Sequence, residues 1–195
     1  MIDGSRVMVF IDGTNLLTQL SRAISINFRA EKPPHNAIIL SKMLISKIVN
    51  PSKNMKIIRH YWFSSYQGNE ETRKDLRNHL RESKFEPVLF KLGDKGEKGV
   101  DIALTKEMLV NAFQQNYDIG VLIAGDEDYV GIVNEVKRYG QVIWGAFFEH
   151  GLSPELKYSF DTFFLFTNIM RDKSFINLSQ PVINRIKVEL DKKSN

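Results

Sequence analysis

Cysteine is absent from this sequence. That absence excludes disulfides, thiolate metal sites and cysteine nucleophiles together, and it permits a reducing cytoplasm as the compartment. Histidine is scarce, with four in 195 residues, and none falls in a ligand-like pair along the chain. A zinc centre would have few donors to draw on. No apolar run approaches the roughly 20 residues needed to cross a bilayer. The apolar part of the opening MIDGSRVMVFIDG is short and broken by Arg6, which does not read as a secretion signal. Repeats and low-complexity tracts are missing as well. The expectation is a cytoplasmic protein with no membrane partner.

What is present is ordinary for a globular chain: 43% hydrophobic and 26% charged residues. Its length suits one domain with a sizeable core. The net charge of +4 and pI near 9.2 are only mildly basic, so they suit a polyanionic partner without requiring one.

Short β-rich runs alternate with segments of helical period, the pattern of a parallel sheet covered by helices on both faces. Strands are expected at about 6–12, 55–64, 85–92, 119–124 and 141–147. Helices are expected at about 15–23, 36–49, 69–83, 100–115 and 128–139, the last closed by Gly140. An aromatic segment at 156–166 reads as mostly core. Residues 1–170 form the expected domain, and 171–195 a polar, partly helical tail with Val182, Ile186 and Leu190 at helical spacing.

In such a sheet, ligands bind beyond the carboxyl ends of the strands where the strand order reverses. Asp12 ends the first strand, in VMVFIDGTN. Asp126 and Asp128 follow the fourth in LIAGDEDY, and Asp101 opens the helix after GDKGEKG. All four should meet on one edge. Asp12, Asp101 and Asp128 each sit where a helix could begin and could simply cap it. Together they would repel one another, so the cluster calls for raised pKa values or a bound cation. Mg²⁺ or Mn²⁺ fits an all-oxygen site better than zinc does. Such a cation offsets phosphate charge and makes hydroxide available from water near neutral pH, which suits phosphodiester hydrolysis. Asn15 could orient the metal's water or a phosphate, or cap the first helix.

Asp-Gly-Thr also occurs in haloacid dehalogenase phosphatases, as Asp-x-Asp-Gly-Thr. The nucleophilic Asp would there occupy position 10, which is Phe10. A phenyl ring cannot form an aspartyl phosphate, so that alternative is disfavoured.

FIDGTN, KGVDIAL, AGDEDYVGIV and SPELKYSFDTFFLF, in this order, resemble the NYN domain, in its LabA-like branch of the PIN-like nuclease superfamily, over roughly 6–167. The resemblance implies a Rossmann-like α/β/α sandwich with a mainly parallel sheet of about five to six strands. It also implies an acidic Mg²⁺ or Mn²⁺ pocket and ribonuclease or RNA-processing activity. By motif position it assigns metal-binding and catalytic roles to Asp12, Asp101, Asp126 and Asp128, the motif amide to Asn15, and a phosphate contact to Lys98. Two positions depart from the family pattern. Ala124 replaces the usual small hydroxyl residue, and Glu107 stands where Asp is frequent.

For the RNA itself, single-stranded or structured, the GDKGEKG loop offers Lys95 and Lys98 beside glycines. Arg73, Arg77 and Arg81 form a stripe at i, i+4 steps, which could equally be a solvated face paired with Glu70, Glu71 and Glu82. His60, Tyr61, Trp62 and Tyr66 could stack on bases, although aromatics in a strand are more often core. The leading expectation is a metal-dependent ribonuclease. The alternative is a catalytically silent RNA-binding or regulatory module of the same fold. The apolar, aromatic C-terminal region would suit a homodimer.

Overall fold

The computed structural model describes residues 4–49, 54–93 and 98–194. Six strands form one sheet: β1 (Ser5–Asp12), β2 (Met55–Tyr66), β3 (Glu86–Lys91), β4 (Ile119–Ile123), β5 (Val142–Phe147) and β6 (Thr162–Leu165). Eight α-helices accompany them among the described residues: α1 (Gly13–Ala23), α2 (His35–Ile48), α3 (Glu70–Glu82), α4 (Lys98–Phe113), α5 (Val130–Arg138), α6 (Pro154–Ser159), α7 (Phe166–Arg171) and α8 (Lys173–Ser194). The sheet order is β3-β2-β1-β4-β5-β6 and every pairing is parallel. This is the α/β sandwich anticipated from the alternation of elements.

A parallel sheet is buried on both faces, so its central strand should read as a continuous apolar run. β1 does. Val7, Val9 and Ile11 enter one core with α1, α2 and the C-terminal helices, through Leu16, Leu44, Phe175 and Ile186. Met8 and Phe10 enter the other with α4 and α5, through Leu104, Met108, Tyr129 and Val133. Arg6 and Asp118 pin the entry of β1 against β4 with a 2.7 Å ion pair.

The aromatic segment before α7 supplies α6 and a sixth strand, β6, paired with β5. The polar tail is a single helix, α8, lying on α2. Phe175 and Ile186 are buried there, and Glu189 accepts hydrogen bonds from the Asn36 backbone N–H and side-chain amide at the start of α2. The sheet reverses its direction of growth between β1 and β4. Asp12, the last residue of β1, stands at that junction.

Candidate acidic site at the β1/β4 switch point

β1 runs into α1 without a spacer. Asp12 is extended (φ −76°, ψ 93°) and caps α1, its Oδ1 accepting the Asn15 N–H at 3.0 Å. Helix α1 therefore begins at Gly13, two residues earlier than the period suggests. The turn requires glycine for space: a Cβ on Gly13 would lie 2.1 Å from Trp62 Nε1. Thr14 then ties the helix to β2, its Oγ1 accepting the Ser65 N–H at 3.0 Å.

β4 is followed by Gly125, where a Cβ would meet the Gly151 carbonyl oxygen at 1.9 Å. Asp126 caps the next turn, a 3₁₀ helix over Glu127–Tyr129, by accepting the Asp128 N–H at 3.2 Å. Asp101 lies in the first turn of α4.

One cavity of about 240 Å³ brings these junctions together, lined by Asp12, Thr14, Asn15, Thr18, Gln19, Glu31, Val100, Asp101 and Asp126. Three of the four aspartates singled out in the sequence thus share it. Asp128 is exposed and outside the lining, with its backbone serving Asp126. Glu31, from the loop before α2, adds a fourth carboxylate that nothing in the motifs announces.

Tyr129 is a second addition. Fully buried beneath the cavity, its hydroxyl donates to Asp101 Oδ1 at 2.7 Å and reaches Asp12 Oδ2 at 3.1 Å. Burial, then the negative charge of Asp12 and the bond to Asp101, push the phenol far above its ordinary pKa. That shift favours the protonated phenol as the donor beneath the acids. Its position at the end of GDEDY was the available signal, but a tyrosine opening a helix reads first as core.

The remaining sequence candidates lie elsewhere. Arg73 pairs with Glu70 at 2.7 Å, and neither it, Arg77 nor Arg81 lines the cavity. Lys95 and the side chain of Lys98 fall outside the described residues. Trp62 and Tyr66 are core, while His60 and Tyr61 are partly buried strand residues. Glu107 bonds Asn111 at 2.9 Å and does not reach the cavity. Ala124 is buried beside Gly125.

The donor set tests whether a cation fits. Asp12, only 5% exposed, Asp101, Asp126 and Glu31 offer oxygen alone, and no Lys or Arg lines the cavity among the described residues. Asn15 Oδ1 is buried with no hydrogen-bond partner among the described residues, a cost of about 1–3 kcal/mol for a buried acceptor left unmade. Clustered carboxylates beside an orphaned amide oxygen suit a hard divalent cation such as Mg²⁺ or Mn²⁺.

A solved protein of unknown function from Vibrio parahaemolyticus has the same fold. It aligns with a TM-score of 0.63 at 17% identity, covering 85% of this chain and 94% of that one. No curated protein matches the chain. The family model of the NYN domain matches residues 6–168, from the start of β1 through the first residues of α7. The acidic switch point lies wholly within that span, and the chain belongs to the NYN domain family.

Proposed function

We propose that the chain is a ribonuclease of the LabA-like branch that hydrolyses RNA phosphodiester bonds at the β1/β4 junction, with residues 1–170 as its nuclease unit. The observation that carries this reading is the convergence of Asp12, Asp101 and Asp126 on one cavity with the unpartnered Asn15 Oδ1. Asp12, Asp101 and Asp126 would hold Mg²⁺ or Mn²⁺, with Glu31 at the rim. A cation bound there would offset phosphate charge and lower the pKa of water. The protein's own groups do the rest. Tyr129 donates its hydroxyl proton to Asp101, within reach of Asp12, and so helps to orient both carboxylates. The Asn15 backbone N–H fixes the other oxygen of Asp12, and the Asn15 amide is available to a water or phosphate. Asp128 supports Asp126 through its backbone.

The second reading, a silent RNA-binding module in a cytoplasmic complex or homodimer, draws on the absence of basic residues from the cavity lining among the described residues. Incubating labelled RNA that has both hairpins and single-stranded stretches with Mn²⁺, Mg²⁺ or EDTA separates the two. Metal-dependent cleavage supports the nuclease. RNA retention without cleavage in either metal overturns it in favour of the module.

A further inference from the structure

Two of the four histidines meet where α2 and α3 pack together. His35 opens α2 and His79 lies in the last turn of α3, and their rings stack with centroids 4.2 Å apart and planes 14° from parallel. Glu82, one turn beyond His79, brings Oε2 to 3.8 Å from His35 Nε2. Asp75, one turn before it, brings Oδ1 to 3.6 Å from His79 Nε2. The donor atoms of His35, His79 and Glu82 all lie within 4.8 Å of one another. Two imidazoles and one carboxylate therefore converge from two helices, with Asp75 flanking His79, and Asp75, His79 and Glu82 lie on one face of α3 at i, i+4 and i+7.

We propose that this cluster is a second metal site, independent of the acidic cavity, and that it takes a borderline transition cation of the Zn²⁺ class. The chemistry of the donors sets the class. Imidazole nitrogen suits Zn²⁺, Cu²⁺ or Ni²⁺, whereas the all-oxygen cavity suits Mg²⁺ or Mn²⁺. Tetrahedral zinc with bonds of about 2.0–2.1 Å needs donors about 3.3 Å apart and in the plane of each ring, so the two imidazoles must rotate out of their stack as the cluster tightens. The side chains have that freedom: His35, His79 and Glu82 are 32%, 30% and 65% exposed. Two stacked rings alone would be simple packing. The flanking carboxylates are what a cation requires, since Glu82 supplies a third ligand and Asp75 a counter-charge beside His79. Bound metal would clamp the N-terminus of α2 to α3.

Equilibrium dialysis of the metal-stripped full chain against Zn²⁺ at neutral pH tests the site, with His35→Gln, His79→Gln, Glu82→Gln and Asp12→Asn in parallel. Circular dichroism verifies that each variant is folded. The expected result is one zinc per chain that both histidine variants lose, that Glu82→Gln binds at least tenfold more weakly, and that Asp12→Asn retains. Co²⁺ substitution should give visible absorption bands in wild type that vanish in His79→Gln. Wild type that binds no zinc, either histidine variant retaining its zinc undiminished, or loss of the zinc in Asp12→Asn would overturn the proposal.

Discussion

The acidic cavity and the imidazole cluster stand at the two ends of one short loop, Glu31 to His35, and they are built in opposite ways. The cavity is set into the sheet. Its acids are fixed by backbone caps, a buried tyrosine and a glycine pressed against Trp62. The cluster stands on two helix surfaces with part-exposed side chains that contact one another. A lining of carboxylates offers oxygen alone and favours a hard cation. An adaptable group of nitrogens and oxygens closes around its ligand when the ligand arrives. Glu31 lines the acidic cavity, and it also lines the open groove beside Asp75 and His79. Pro33 and Pro34 stiffen the connection between the two.

The contrast can be broken or sharpened by substitution. Asp101→Asn should reduce metal-dependent cleavage more than the roughly 10–100-fold that loss of a supporting partner costs, and should leave zinc uptake unchanged. Initial rates and dialysis measure the two effects. Tyr129→Phe removes only the proton donor beneath the acids, so it should weaken Mn²⁺ binding by about 10–100-fold, read by calorimetry. Gly13→Ala places a methyl against the Trp62 ring and should destabilise the fold by about 1–3 kcal/mol. By contrast, Asn78→Ala on the exposed face of α3 should change stability by no more than about 0.5 kcal/mol. Thermal melts compare them.

His60 provides an imidazole control for the cluster. Burial, and then the positive charge of Lys42, lower its pKa from 6.5 to about 4. In the unfolded chain it takes up a proton as pH falls through about 6.5, and in the folded chain only near 4. The unfolded state therefore binds more protons between these values, and stability should fall with acidification across that window. The loss should be on the order of 3 kcal/mol. His60→Gln should flatten that part of the pH–stability curve, measured by denaturant melts.

Most of the sheet and three of the cavity acids were legible because strand ends in an alternating chain carry their own address. VMVFID and GVLIAGD each show an apolar run ending in an acid, and the parallel topology places both ends on one edge. Tyr129 was not legible because its role depends on a proton shared between residues 28 and 117 positions away. Glu31 sits in a loop without periodicity. His35 and His79 lie far apart in sequence, and the packing of α2 on α3 alone makes them neighbours. The helical spacing of Val182, Ile186 and Leu190 was legible in the tail, but what that face covers was not. Its partner is the apolar face of α2, and its anchor is Glu189 on the first turn of that helix.

The most direct test of the central claim is the initial rate of cleavage of one end-labelled RNA by wild type and by folded Asp12→Asn at saturating Mn²⁺. The account predicts that the variant loses at least about a hundredfold in rate, since a direct ligand should cost more than its supporting partners do, while its melting profile shows a folded chain. Equal rates would mean that the bond is broken somewhere other than the cavity at the end of β1.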